Sequence, residues 1–282
     1  MPVIVPLFHI RLRRLTAPTF LALFALVSSN GTLHAECRGD DGGSSLVTEI
    51  RSGDTLILED GRSVRVFGAL LPRRGGHNET ALQAREAAER QIAELTMGKV
   101  VQLQFDPVRR DRYGRVMAQV FVTKDEQRIW LQEKLIAEGL ARVMSSKENR
   151  GCVSELLAAE KTARDNRQGH WATGLFSVKP AASEDLLAGL TQSFEIIEGR
   201  VDNVTEVRGR VYVNFGRNWR RDFTATIPAD ALKLFPGEAA SLGKLKGQVV
   251  RVRGWVENVN GPSVTVTHPE QLELLVDSTV LH

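Results

Sequence analysis

The chain has 282 residues, 42% hydrophobic and 25% charged, which excludes a disordered chain and leaves room for two modest domains. Three of its 37 basic residues lie in the first 35, which carry no acid, so the remainder sets 34 basic against 34 acidic residues. A chain-wide positive field for polyanions is excluded, and any grip on phosphates must come from local clusters.

Arg11, Arg13 and Arg14 precede an apolar run from Ala17 to Val27 that is too short to span a bilayer, and "TLHA" ends on the small Ala35. Residues 1–35 read as a secretory signal peptide cleaved before Glu36, the alternative being an uncleaved anchor helix. "HAE" before Cys37 lacks the small residue of a lipoprotein site. Export puts the mature protein in the periplasm or outside the cell, with no membrane span left after cleavage. Residues 36–45 form its N-terminal segment. In that setting Cys37 and Cys152 favour a disulfide over a catalytic or metal-bound thiol.

"SLVTEI", "DTLILED" and "SVRVFGAL" alternate apolar and polar residues as strands do, with Asp60-Gly61 as a hairpin turn. From residue 76 the period changes. Ala81, Ala84, Ala88, Ile92 and Leu95 recur at three and four, predicting one amphipathic helix capped by Asn78 and stopped by Gly98. "KVVQLQFD" and "GRVMAQVFV" are strands again, separated by the arginine-rich turn "PVRRDRYGR". "IWLQEKLIAEGLARV" and "CVSELLAAEKTARDN" predict two helices. The order β-β-β-α-β-β-α-α suits an OB-type Greek-key barrel over residues 46–175. Residues 176–192, small, polar and interrupted by Pro180, predict a linker. Over 193–276, β-branched alternation predicts a second small OB-like β-barrel. The fold class is thus mainly β with helices, and no sequence repeat is evident.

Asp54-Thr55, Arg65, Pro72, the single helix, "DRYGR" and the closing "GLARV…EKTAR…GHW" together resemble the thermonuclease, or staphylococcal nuclease-like, family over about residues 46–171. The resemblance implies an OB barrel that cuts DNA and RNA with calcium. It makes Asp54 the first metal-ligating aspartate, and Arg65 and Arg115 the two phosphate-gripping arginines. The pattern then departs from the family's Val-Asp-Thr-Pro-Glu: Leu70 stands at the second metal aspartate, Leu71 at the threonine and Arg73 at the general-base glutamate, while Ser52 replaces an acidic neighbour. Losing a positioned base forfeits about 10²–10⁴ in rate, and calcium wants six to eight oxygens. The expectation is therefore calcium bound weakly or not at all, with Arg65, Arg73, Arg74 and Arg115 bringing unopposed positive charge to the former site. Each residue also has a plain structural reading: Arg65 facing solvent or Glu59, Asp54 as a turn residue, Arg115 bracing its loop through Asp111. Glu79, Asp106 or Asp60 could supply a carboxylate in place of the missing ones. His77 and His170 lack ligand spacing and read as a loop residue and a polar neighbour of Trp171.

In the second barrel "RGRVYVNFGRNWRRDF" interleaves arginines with Tyr212, Phe215, Trp219 and Phe223. This is the pattern with which OB surfaces hold single strands, and it makes Arg208, Arg210, Trp219 and Arg220 candidate contacts. The alternative is that the aromatic residues are core and the arginines a solvated side. The stretch also resembles a tail domain found behind thermonuclease-like domains in bacterial envelope proteins. His268 beside Glu270 makes no catalytic set. The leading expectation is an exported protein that binds nucleic acid or another phosphorylated polyanion with little phosphodiesterase activity. The alternatives are a calcium-dependent nuclease and an envelope scaffold that binds protein.

Overall fold

The computed structural model describes Met1, Cys37, residues 39–73 and residues 79–275. The leader expected over 1–35, apart from Met1, and Arg74, His77 and Asn78 lie outside the described residues. In chain order the first part runs β1 (Asp40–Arg51), β2 (Thr55–Leu58), β3 (Ser63–Val66), β4 (Ala69–Leu70), α1 (Glu79–Thr96), β5 (Val100–Phe105), β6 (Val116–Lys124), β7 (Gln127–Trp130), α2 (Leu131–Ala137), β8 (Arg142–Val143) and α3 (Val153–Asp165). Strand β1 starts inside the expected N-terminal segment and serves two neighbours. Its first half pairs with β5 and its second with β2, with a register shift in each half, the usual device for bending a strand round a barrel. β2 pairs with β3, β3 runs parallel to β6, and β6 returns against β5. The circuit β1-β2-β3-β6-β5 is a closed five-stranded barrel.

Period-two alternation fills it: Val47, Leu56, Val64, Val101, Leu103 and Val120 are all fully buried. Ala88, Ile92 and Leu95 of α1 join the same core, as do Leu131, Leu135 and Ile136 of α2. The helix predicted over "IWLQEKLIAEGLARV" departs from expectation at both ends, its last residues, Arg142–Val143, pairing with β4 as β8. Ile129 and Trp130, predicted to open a helix, instead pair with Val122 and Phe121 as β7. The turn before them, Asp125–Glu126, has positive φ at both residues, which is the geometry of a two-residue hairpin.

The chain continues through β9 (Val178–Pro180), α4 (Glu184–Ala188), β10 (Phe194–Arg200), β11 (Asn203–Val207), β12 (Arg210–Asn214), β13 (Thr224–Ile227), α5 (Ala229–Leu232), α6 (Glu238–Leu242), β14 (Val249–Asn258), β15 (Pro262–Thr265) and β16 (Leu272–Leu275). β10 and β11 are two halves of one strand, interrupted at Val201–Asp202: the first pairs with β14, the second with β12. β12 pairs with β13, β13 runs parallel to β15, and β15 returns against β14. This is the circuit of the first barrel over again, with helices once more between its third and fourth strands. The predicted linker is itself structured. β9 adds to β10 in parallel, and Leu187 of α4 is fully buried in the second core.

The described residues from Cys37 onward belong to one compact unit, and a charged seam inside it joins the barrels. Arg253, 2% exposed, meets Glu160 at 2.8 Å and also pairs with Glu273, while Arg251 bridges Glu273 and Glu198 at 3.0 and 2.7 Å. Arg142 faces Glu195 at 3.6 Å, and Arg150 binds Glu270 through both Nε and Nη2. Cys37 and Cys152 form a disulfide. No helix among the described residues is long and apolar enough to cross a membrane.

Candidate functional site

The β1–β2 turn opens on two residues of positive φ, Ser52 at 52° and Gly53 at 73°, and delivers Asp54 and Thr55 to the barrel's rim. Thr55 Oγ1 donates to Asp54 Oδ1 at 3.1 Å. Strand register sets Arg65 directly across from Thr55, with its Nε 4.0 Å from Asp54 Oδ2. The parallel β3–β6 pairing then brings in the residue just before β6, Arg115, whose Nη1 donates to Thr55 Oγ1 at 3.3 Å. Four residues singled out in the sequence thus meet in one corner, and both guanidinium groups keep about a quarter of their side chain exposed.

The expectation of unopposed positive charge is corrected by the partners. Asp111 Oδ2 accepts from Arg115 Nε at 2.8 Å, and Oδ1 accepts from the backbone N–H groups of Tyr113 and Arg115. Burial alone would raise the Asp111 carboxyl, but these hydrogen bonds outweigh it and hold the group below the usual carboxylate range. Arg115 therefore does brace its loop. Arg65 faces Asp54 rather than Glu59, at a distance too long for a hydrogen bond. Sequence reasoning passed over Tyr113. Its ring is 67% exposed at the same corner, with Arg112 at 4.8 Å and Arg115 at 5.5 Å from its centroid. The signal was present: an aromatic residue inside an arginine-rich turn.

The positions that the resemblance assigns to the rest of the site hold no carboxylate. Leu70 pairs with Arg142 in β8, Leu71 is 4% exposed, and Arg73 turns away to donate to the Gln192 carbonyl at 2.9 Å. Arg74 lies outside the described residues. The candidate substitute carboxylates are engaged elsewhere. Asp60 is held by Arg62, Glu79 accepts from Gln83, and the buried Asp106 accepts from the Gly151 N–H. Among the described residues no three His, Cys, Asp or Glu side chains are grouped to hold a metal. Calcium does not fit this donor set, because the carboxylate at its first position is faced by a guanidinium and its second position is a leucine.

The arginine-rich run of the second barrel is divided by the fold. Arg208 and Arg210 sit at the β11–β12 turn, and Trp219 and Arg220 on the loop after β12, at the strand's other end. The strand between them spans about 13 Å. Phe223 is core at 0% exposure, Phe215 packs on it with ring centroids 5.1 Å apart, and Tyr212 is half-buried. Of the four aromatic residues only Trp219, 52% exposed with Arg220 4.9 Å from its ring, faces solvent. His170 is buried edge-on to Phe176. His268, 1% exposed, is 2.6 Å from Ser145 Oγ through Nε2, and burial lowers its pKa to about 4.

A family model described as staphylococcal nuclease homologue matches residues 63–173. A thermonuclease of Staphylococcus hyicus is 32% identical over 131 residues, covering 45% of this chain and 74% of its own length. A thermonuclease of Staphylococcus intermedius is 26% identical over 152 residues, 53% of this chain and 88% of that protein. Endonuclease YncB of Bacillus subtilis is 31% identical over 125 residues, 43% of this chain and 57% of its own.

Proposed function

Since the chain belongs to the staphylococcal nuclease homologue family, we propose that it binds nucleic acid or a similar phosphorylated polyanion at the Asp54–Arg65–Arg115 corner and cleaves it slowly or not at all. One observation carries this reading: the two arginines stay together at the rim, while positions 70, 71 and 73 hold two leucines and an arginine bound to Gln192. A guanidinium fork matches two phosphate oxygens, and an incoming phosphate can exchange with Asp54 at its long contact to Arg65. Tyr113 offers a ring face for a base beside that phosphate. No side chain at position 73 can prime water for attack, so the corner grips the substrate without activating a nucleophile. Trp219 and Arg220 make a second contact for a longer strand.

The test is digestion of plasmid and single-stranded substrates with calcium and with EDTA, alongside Arg65→Ala. Cleavage is expected to lie about 10²–10⁴-fold below that of a nuclease with a positioned base. Brisk calcium-dependent cleavage abolished by Arg65→Ala would instead establish the nuclease. The reading also has residues 1–35 removed as a leader, and the Cys37–Cys152 bond supports an oxidising compartment. N-terminal sequencing of the exported protein is expected to begin at Glu36.

A further inference from the structure

Val101, Leu103, Val120 and Val122 point into the first core, so their alternates on β5 and β6 face outward. On that outer face Ser44 stands across from Gln102, Gln102 across from Phe121, and Thr123 across from Arg128. With Lys99, just before β5, these side chains line a groove of about 460 Å³, which contains two positive charges and no carboxylate. The Arg128 guanidinium lies 3.7 Å over the Phe121 ring, and Trp130 stacks on the same ring with centroids 5.9 Å apart. Arg128 Nη2 also donates at 3.0 Å to the Gln104 amide oxygen, whose nitrogen donates in turn to the Cys37 carbonyl at 2.8 Å. Lys99 Nζ donates to the Glu94 carbonyl at 3.0 Å. All these acceptors are neutral, so among the described residues neither charge is cancelled by an ion pair.

The guanidinium is thus held in place, one face on Phe121 and the other left to the groove. A base stacks on a guanidinium plane, the hydroxyls of Ser44 and Thr123 and the amide of Gln102 suit its polar edges, and an ammonium holds a phosphate as a point charge. Lys99 and Arg128 are separated by two strand spacings, about 10 Å, which leaves room for a sugar between base and phosphate. We propose that this groove is a separate binding site for a mononucleotide, its base against Arg128 and its phosphate toward Lys99. The corner takes no part in it. Arg115 and Thr123 stand by opposite ends of β6, about 25 Å apart, and Gln119 between them is 3% exposed. The site therefore goes beyond the proposed function and does not rest on it.

The experiment is fluorine NMR of the full chain labelled with fluorotryptophan, the Trp130 signal being assigned by Trp130→Phe and followed in EDTA. Adenosine monophosphate is expected to shift that signal saturably, and inorganic phosphate at the same concentration to leave it in place. Arg128 is exposed, so its replacement spares the core. Arg128→Ala is expected to weaken the nucleotide's effect about tenfold or more, and Arg128→Lys, which keeps the charge without the plane, about threefold. A Trp130 signal that ignores the nucleotide, moves equally with phosphate, or moves undiminished in Arg128→Ala overturns the proposal. Arg65→Ala, which disables the corner alone, leaves the Trp130 shift unchanged, so failure of either site is read separately from the other.

Discussion

Set side by side, the two barrels share one strand circuit and the backbone of the turn between its first and second strands, and part company in the residues that follow that turn. Ser52 and Gly53 have φ of 52° and 73°, and Arg208 and Gly209 have the same two values. The strands that leave these turns carry different residues. The first barrel sets Thr55 across from Arg65, while the second sets the buried Val211 across from the buried Ile227. The loop between fourth and fifth strands is the arginine-rich 106–115 in one barrel and the short 259–261 in the other. The circuit supplies a position at the rim, and the side chains delivered there decide whether it can hold a phosphate. The second barrel has the position without the paired arginines; its exposed Trp219 and Arg220 lie at the far end of β12, and the seam docks it to the first.

That difference can be pressed by experiment, the largest effect coming from the seam. Glu160→Ala leaves Arg253 buried without its fully buried partner from the first barrel and is expected to cost about 3–5 kcal/mol in urea unfolding. The double variant Glu160→Leu with Arg253→Met should recover only part of the loss, since it removes both charges together but leaves the buried Val143 N–H, Arg164 and Glu273 each short of a partner. At the first barrel's corner, Arg65→Ala or Arg115→Ala is expected to weaken single-strand binding about tenfold or more, from charge-assisted bonds of about 1.5–3 kcal/mol. Fluorescence anisotropy at low salt measures it. Third is a pH effect at the second barrel's His268, whose pKa is about 4 when folded, below its ordinary 6.5. The unfolded chain therefore binds the extra proton first, so stability is full above about pH 6.5 and falls as the pH drops toward 4. With allowance for partial solvent screening, the loss is about 2 kcal/mol. Unfolding curves of wild type and His268→Gln across that window read it, the variant being flatter. Least affected is the second barrel's own turn, where Arg208→Ala should change affinity by less than about threefold and leave the salt slope nearly unchanged.

Much of this was legible in the sequence because alternation reports burial directly: Val47, Leu56, Val64, Val101 and Leu103 are inward residues of period-two strands. The corner was legible because Asp54, Arg65 and Arg115 were identified together by resemblance, and strand register then brought them into contact. Contacts between distant segments were not legible. In "VVRVRGWV" the alternation places Arg251 and Arg253 opposite Val250 and Val252, a face that reads as solvent until the other barrel covers it. Arg73 took a position expected to face phosphate, yet its partner is a carbonyl 119 residues away. No local pattern in α1 reveals that two loop carbonyls end on Arg85. The shared circuit was hidden as well, since it lies in which strands pair and not in any repeated residue.

The central claim is a phosphate grip that outlived the machinery of cleavage, and one sample can test both halves. A labelled single strand is incubated with the protein in calcium and in EDTA, its anisotropy is measured at two salt concentrations, and the same sample is then run on a denaturing gel. The account predicts binding that weakens with salt, is indifferent to EDTA, falls in Arg65→Ala and leaves the strand at full length. A strand that stays free even at low salt, or that is cut only when calcium is present, contradicts it.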